Sequence, residues 1–188
     1  NQNGKTLANS DFKATGTLSY GVDAPWTADN TFKVVSTTSG GATTTKYQST
    51  RMNIYGGLRM GGSALYGLDI KTPTNPSLLF HITPSTTGFS RMGQIWSKPT
   101  LANIRIKGER KRVLIFGGGY DASVYEREAT AFTEPTTATQ GNAIYIVDAN
   151  DGTLLWMASS DTSGITDAYK KTVSSEMLYS VTGQPVVR

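Results

Sequence analysis

The chain carries one series of short β-type runs twice, in the same order, and this internal repeat limits the fold more than any other feature. The apolar run Met52–Leu58 recurs as Val113–Gly119, and both runs have paired glycines at their fifth and sixth positions. The run Ala64–Ile70 recurs as Ala143–Ala149, with an aromatic residue at the third position and an aspartate at the sixth. The order of these runs predicts two copies of one structural unit.

Two further elements belong to each copy. Near the end, Leu78–Phe80 matches Leu154–Trp156. At the start, the segment around Pro25 matches the segment around Pro99, and Pro185 stands in the same place at the start of a third copy. Each copy would therefore hold four strands joined by hairpins, which is the organisation of a propeller blade.

The predicted fold is all-β: a β-propeller fragment of about two four-stranded antiparallel blades, plus the first strand of a third. The blades would span residues 17–82 and 95–158, the next blade would start at 181–188, and the whole chain, 1–188, would belong to one propeller domain. Helical periodicity is weak, and only Ile165–Leu178 reads as a helix or a loop. A β-sandwich also repeats short strands and stays an alternative, although the matched order of four elements favours the propeller.

Composition and charge exclude several classes of function. The chain has no cysteine, so disulfides, thiol catalysis and thiolate metal sites are absent. The net charge of +4 is mild, and the one basic run (Lys107, Arg110, Lys111 and Arg112) is expected to form a solvated turn. A nucleic-acid-binding face of basic and aromatic residues is not found. No apolar run approaches the roughly 20 residues of a membrane span. We therefore predict no nucleic-acid partner and no membrane span.

Catalytic and metal-binding patterns are weak. His81 is the only histidine and lies in a predicted strand, which supports neither a metal-binding pair nor a catalytic triad. The turn Asp148–Gly152 offers too few oxygen ligands for calcium, and its Asn-Asp-Gly sequence predicts a hairpin. Gly117–Gly119 resembles a phosphate loop only superficially, because neither a Lys-Ser/Thr pair nor a helix follows. We predict no catalytic residue, no metal site and no cofactor in this chain, and no enzyme activity.

Two long connections interrupt the units, and a third, Ser159–Ser180, links the second unit to the next. Tyr120–Gln140 is an insertion, because the first copy has only Arg59–Ser63 at that place. Variable loops on rigid scaffolds carry recognition, and this loop holds residues of the types that are enriched at binding hot spots: Tyr120, Tyr125, Arg127 and Phe132. We predict that partners bind there, and a disordered surface loop without a binding role is the alternative. The other connection, Ser36–Thr50, is rich in Ser, Thr and Gly and is expected to be mobile.

Several motifs resemble, in order, those of the PilY/PilC family of type IV pilus tip-associated proteins. Tyr20–Asp29 resembles the family's "Y-x-V-D-x-x-P…D" strand, and Gly57–Ile70 resembles its "G-L-G-x-G-G-x-x-x-Y-A-L-D-V" strand pair. The family's order continues through Pro73–Phe80, Trp96–Leu101, Leu114–Asp121 and Gly141–Ala149. The long connection Ser36–Thr50 departs from the family, which has a short link there.

The resemblance implies a function. Members of this family are secreted by Gram-negative bacteria, associate with minor pilins at the pilus tip, and affect pilus assembly, twitching motility and adhesion to host or abiotic surfaces. An extracytoplasmic location, at the pilus tip or cell surface after passage through the periplasm, is therefore expected. Many members carry a calcium loop in the propeller, which would lie downstream of Arg188, so the resemblance implies no calcium ligand in this chain. The chain starts in polar sequence without an initiator Met, and we expect an excerpt of a longer protein.

Two other propeller classes remain as alternatives. Asp148–Trp156 also resembles the tryptophan-docking motif of quinoprotein dehydrogenase blades, although the signature acids of the quinone site are not seen. A propeller of the outer-membrane assembly type is the second alternative. In either case the two units would be blades of a propeller protein with a different function.

Overall fold

The structure, a computed structural model, describes residues 20–125 and 137–187. These residues form two β-sheets, each built from consecutive strands. The first sheet contains β1 (Trp26–Ser39), β2 (Ala42–Gly57), β3 (Leu65–Asp69) and β4 (Ser77–Ile82). The second contains β5 (Thr100–Ile106), β6 (Glu109–Gly117), β7 (Ala143–Asp148), β8 (Leu154–Ser159) and β9 (Lys171–Val173). One short helix, α1 (Ala122–Tyr125), follows β6.

Both sheets follow the order of the chain. In the first, β1 to β4 pair with their sequence neighbours, always antiparallel. In the second, β5 to β8 do the same, and β9 adds a parallel edge beside β8. The prediction of an all-β fold with two four-stranded antiparallel units is confirmed. The fifth strand of the second sheet was not predicted.

The two units share a backbone irregularity. The pairing of β3 with β4 shifts register between Gly67 and Leu68. The pairing of β7 with β8 shifts between Ile146 and Val147, which are the positions that the repeat matches. A bulge bends its strand and increases the local twist, so the two sheets are bent at the same point.

The matched glycine-containing runs both lie in the second strand of their sheets. Their alignment slips by one residue in the structure, because Asn53 lies opposite Asp69 whereas Val113 lies opposite Asp148. The sequence match had placed Asn53 with the residue after Val113. The predicted equivalence of the strands therefore holds, and the residue-by-residue alignment changes by one.

One hydrophobic core joins the two sheets. Tyr55 of the first sheet and Phe116 and Tyr145 of the second are fully buried in it. The connection between the sheets contributes a wedge of three buried side chains: Phe89, Met92 and Ile95. The Phe89 ring lies 5.1 Å from the Tyr145 ring. Each large side chain of this kind contributes about 1.5–3 kcal/mol when it leaves water, so the wedge binds both sheets strongly.

A hydrogen bond of the same kind links each unit to the next segment. The Thr27 hydroxyl donates to the carbonyl of Pro99, just ahead of β5. The Thr100 hydroxyl donates to the carbonyl of Pro185. Pro99 and Pro185 each stand at the start of a repeat copy. The first strand of each unit therefore binds the chain just before the next copy begins. The units therefore stand side by side, as the repeat predicted.

Arg112 corrects the expectation of a solvated basic turn. The turn itself consists of the exposed residues Lys107 and Gly108. Arg112 lies in β6, where its Nε donates to the Asp29 carboxylate at 2.6 Å and its Nη2 donates to the other carboxylate oxygen. Arg51 donates to the same carboxylate at 3.3 Å. A buried carboxylate needs such partners, so Arg112 reaches across to β1 instead of entering water.

The connection at residues 36–50 is not a mobile link but part of a β-ribbon. β1 and β2 stay paired until Ser39 faces Ala42. Gly40 and Gly41 form the turn with φ of +59° and +82°, a conformation that glycine adopts without strain. The β-branched threonines and valines on either side favour strands, and they outweigh the linker-like composition.

The segment after β8 was predicted as a helix or a loop, and it contains a short strand that was not predicted. Residues 165–178 contain a short 3₁₀ turn, Ala168–Lys170, followed by β9, and no α-helix. Residues 181–187 have no strand pairing within the described part of the chain, so the start of a third unit stays a prediction. A strand requires a hydrogen-bonding neighbour, and the described part of the chain provides none there. Hydrogen bonds from Thr100 to Pro185 and from Gln184 to Thr100 hold the segment beside β5.

Candidate functional site

Aromatic rings stack in a row where the predicted insertion begins. The Tyr120 ring centroid lies 4.5 Å from that of Trp96 and 5.4 Å from that of Tyr125. The Arg59 guanidinium carbon lies 4.7 Å from the Trp96 ring centroid, within cation–π range. We call these four residues the aromatic ladder. All four side chains are half-buried, so the row packs on the protein and also meets solvent.

The backbone fixes the ladder from two sides. Gln94 and Tyr120 exchange two hydrogen bonds, at 2.9 and 2.7 Å between nitrogen and oxygen. The Gln94 side chain also accepts a hydrogen bond from Trp96 Nε1 at 3.3 Å. At the other end, the Tyr125 hydroxyl accepts from the Ser180 backbone amide at 3.3 Å. The ladder is therefore held in place by chain segments that are distant in sequence.

The ladder includes two of the four predicted binding residues. Tyr120 and Tyr125 stack on each other, instead of projecting separately from a loop. Arg127 and Phe132 lie outside the described residues. Sequence reasoning missed Arg59 and Trp96 as partners of this site. Their only signal was that Trp96 opens one of the family-like motifs and that Arg59 stands at the equivalent connection of the first unit.

A buried aspartate anchors the start of the insertion to its end. Asp121 is fully buried and accepts five hydrogen bonds. The donors are the backbone and hydroxyl groups of Ser123 and Thr139, and the Gln140 amide. Burial by itself raises the pKa of Asp121, but the hydrogen bonds from Ser123, Gln140 and Thr139 together lower it below its usual value. The ionised carboxylate thus closes the base of the insertion beside the ladder.

We expect the Asp121 carboxylate to make the fold sensitive to acid. Its folded-state pKa is depressed, so its contribution is complete above the unfolded pKa of about 3.9 and is lost as the pH falls through the folded value. Asp121→Asn should lower the unfolding free energy at neutral pH by about 1–3 kcal/mol, because an amide cannot accept all five hydrogen bonds. The unfolding free energy of the variant should also fall less steeply than that of the parent protein as the pH is lowered into the acid range.

Urea unfolding between about pH 2 and pH 7 measures both effects. Asp151→Asn is the control, because Asp151 is exposed and accepts only the Thr153 amide at its turn. An Asp121→Asn variant whose unfolding free energy falls as steeply in acid as that of the parent protein would contradict the anchoring role.

The three consecutive glycines form a backbone junction and not a phosphate loop. A Cβ atom at Gly117, Gly118 or Gly119 would collide with a carbonyl oxygen of another segment: that of Val181, Gly141 or Gln94, respectively. Two of these glycines also donate across the junction, Gly118 to Ala143 and Gly119 to Val181. The glycines are required because three other chain segments approach them closely beside the ladder.

The turn at residues 148–152 is a hairpin, as predicted. Asp148 Oδ1 accepts from the amide and the side chain of Asn150, and Asp151 Oδ1 accepts from the Thr153 amide. His81 is exposed and stacks on Tyr66, with ring centroids 4.4 Å apart. Within residues 20–125 and 137–187, no group of three or more His, Cys, Asp or Glu side chains is placed to hold a metal ion.

Calorimetric titration of the chain with calcium should show no submicromolar site. The aspartate oxygens at residues 148–152 already accept hydrogen bonds from their own turn, and calcium requires about six or more oxygen ligands. A tight site that disappears in the Asp148→Asn, Asp151→Asn double variant would contradict the prediction. The Asp167→Asn variant is a matched control, because it removes a turn carboxylate elsewhere on the surface.

Together, the two side-by-side antiparallel units and their repeated links define a propeller-like, all-β class of protein. No family model matches the chain, and no curated protein matches it. Among solved structures, the chain is similar to the C-terminal domain of PilY1 from Pseudomonas aeruginosa, with 24% sequence identity and a TM-score of 0.42. The similarity covers 72% of this chain and 22% of that one. No helix in the described ranges is long and apolar enough to cross a membrane.

Proposed function

We propose that this chain is part of the propeller region of a type IV pilus tip-associated protein of the PilY/PilC type. The observation that carries the proposal is the ordered series of family-like motifs at structurally critical places. The motif at residues 57–70 covers β3, the motif at 114–121 runs from β6 through the glycine junction to Asp121, and the motif at 141–149 covers β7. Motif residues at such places indicate a shared architecture better than a match in exposed loops.

In this role the chain is a binding and assembly module and not an enzyme. It would lie outside the cytoplasm, at the pilus tip or cell surface, and contact minor pilins and a host or abiotic surface. Adhesion, pilus assembly and twitching motility would depend on it. Any calcium site of the longer protein would lie downstream of Arg188.

We assign partner contact to the aromatic ladder. It combines aromatic and arginine side chains, the types that dominate binding hot spots, and it is held by a rigid backbone junction. Its half-buried rings can add contact area without losing much conformational freedom. Asp23 pairs with Arg59 at 3.5 Å and extends the ladder with an opposite charge.

The test uses the full-length protein in its bacterium. Deletion of the gene should reduce surface pili, twitching and adhesion, and the wild-type gene should restore them. The Tyr125→Ser variant should be secreted normally and restore pili, but adhesion should stay below the wild-type level. Tyr169→Ser is the control, because Tyr169 is exposed and lies outside the ladder.

The possible outcomes separate the two claims. If the deletion leaves pili, twitching and adhesion unchanged, the pilus role is wrong. If the deletion has its effect but Tyr125→Ser behaves like Tyr169→Ser in every assay, the pilus role stands and the assignment of the ladder is wrong. A bound quinone chromophore in the purified protein would favour the quinoprotein alternative.

A further inference from the structure

The ribbon formed by residues 32–49 of β1 and β2 stands outside both sheets. Here the two strands pair only with each other, because β3 joins β2 no earlier than Asn53. Every residue of the ribbon is exposed except Ser49, which is half-buried. The outer edges of both strands in the ribbon therefore pair with no strand in the described part of the chain. A long exposed edge of this kind is a template for another strand, and proteins normally cover or disrupt it.

The two faces of the ribbon differ in chemistry. One face carries Phe32, Val34 and Tyr47, which are 57%, 60% and 78% exposed, with Val34 directly opposite Tyr47. The other face carries Lys33 and Lys46, with Val35 directly opposite Lys46. The sequence has no acidic residue between Asp29 and Asp69. The ribbon is therefore apolar on one side, cationic on the other, and free of negative charge.

The ribbon is preorganised. Hydroxyl groups pair across its strands, with oxygen–oxygen distances of 3.3 Å for Ser36 and Thr45 and 3.1 Å for Thr38 and Thr43. Thr31 and Thr50 pair in the same way at its base, at 2.9 Å. Cross-strand hydroxyl pairs of this type stabilise a hairpin. The edge is already extended before a partner binds, so binding would not include the entropic cost of ordering it.

We propose that the outer edge of β1 in the ribbon receives an extended strand of another protein, in which acidic and apolar residues alternate. Backbone hydrogen bonds to the free edge would supply affinity, as in other cases of strand addition. Side chains of an added strand alternate between faces. Its apolar residues would lie beside Phe32 and Val34, and its acidic residues would lie beside Lys33 on the opposite face.

The charge pattern favours this partner over a second copy of the chain. Pairing two ribbons edge to edge would gather lysines from both copies on one face without any acidic residue to neutralise them. A membrane surface fits less well, because the lysines and the apolar side chains lie on opposite faces and could not both meet the lipid. The inference is independent of the proposed pilus role, since it depends only on this edge.

The test uses the 188-residue chain and a fluorescein-labelled synthetic peptide of about eight alternating valine and glutamate residues, a typical strand length. Fluorescence anisotropy gives the Kd. We expect binding that weakens with salt, as charge attraction does. A peptide of alternating valine and lysine should not bind. A valine–glutamate peptide that is N-methylated at every amide should also fail, because neither of its edges can then donate backbone hydrogen bonds to the ribbon.

Two lysines of the same ribbon give a matched pair of variants. Lys33→Glu should weaken binding about tenfold, because an attraction is replaced by a repulsion of similar size. Lys46→Glu makes the same charge change on β2, one strand further from the added strand, and should have little effect. Val34→Ser should also weaken binding. These side chains are exposed, so the variants should fold normally, which circular dichroism checks.

Each outcome decides the proposal. Equal binding of the N-methylated peptide would mean attraction by charge alone and would overturn strand addition. A larger loss in Lys46→Glu than in Lys33→Glu would overturn the β1 edge. Absence of peptide binding would also overturn the proposal, whether the chain then dimerises in sedimentation experiments or binds anionic phosphatidylserine vesicles.

Discussion

Replacing Asp29 by asparagine should lower the free energy of unfolding by about 2–4 kcal/mol, because removing one partner of a buried ion pair leaves the other charge uncompensated. This loss of stability should be smaller than that for a fully buried ion pair, because Arg51 and Arg112 are partly exposed and can be hydrated by solvent. The carboxylate itself is buried, and it joins β1 of the first sheet to β6 of the second. Urea unfolding at neutral pH measures the change.

The surface pair of Asp23 and Arg59 provides the control. The Arg59 and Asp23 side chains are 40% and 37% exposed, so Asp23→Asn should cost at most about 1 kcal/mol. The double variant Asp29→Asn, Arg112→Gln should lose less than the sum of the two single losses, because each single change already breaks the same contact. Additive losses would show that Asp29 and Arg112 act independently, against the contact described here.

Gly119→Ala should be the most damaging of the conservative changes, with an expected loss of about 3–5 kcal/mol from strain and overpacking combined. Gly119 has a φ of +97°, and a methyl group there would collide with the Gln94 carbonyl oxygen. The chain segments at this junction are joined by backbone hydrogen bonds, so no single segment can move aside. Thermal or urea unfolding measures the loss of unfolding free energy. If the variant does not fold, a reduced soluble yield shows the defect instead.

Two other glycines separate strain from collision. Gly108 has a φ of +83° in open space, so Gly108→Ala should show strain alone, about 1 kcal/mol. Gly164 has neither a positive φ nor a close neighbour, and Gly164→Ala should be nearly neutral or slightly stabilising. If Gly119→Ala and Gly108→Ala lose the same stability, the junction is looser than the structure shows.

The features that sequence reasoning predicted correctly are local. The strands of both units follow from short apolar runs, and the hairpin at residues 148–152 follows from its Asn-Asp-Gly turn. The ribbon was missed because Ser, Thr and Gly together resemble a linker. Its signal was present: β-branched residues stand on both sides of Gly40 and Gly41, which is a hairpin pattern. The three-residue strand β9 is too short to leave a periodic signal.

The features that were missed at the candidate site depend on distant contacts. Tyr120 and Tyr125 were singled out by residue type, but nothing in their sequence neighbourhood predicts that Trp96 and Arg59 stack with them. Asp121 was part of a motif without a role, because its donors come from both ends of the insertion. Arg112 was read as a surface charge because its partner is in the other sheet. Only the folded arrangement reveals such pairs.

The wedge of Phe89, Met92 and Ile95 also determines how the molecule comes apart. These buried side chains belong to one core cluster together with residues of both sheets, so separating the sheets would expose that core to water. Propeller units that touched only through their edges could melt one after another. Here we expect the two sheets to melt together, so that the calorimetric and van't Hoff enthalpies agree. The linker that connects the units in sequence thus makes them a single cooperative unit.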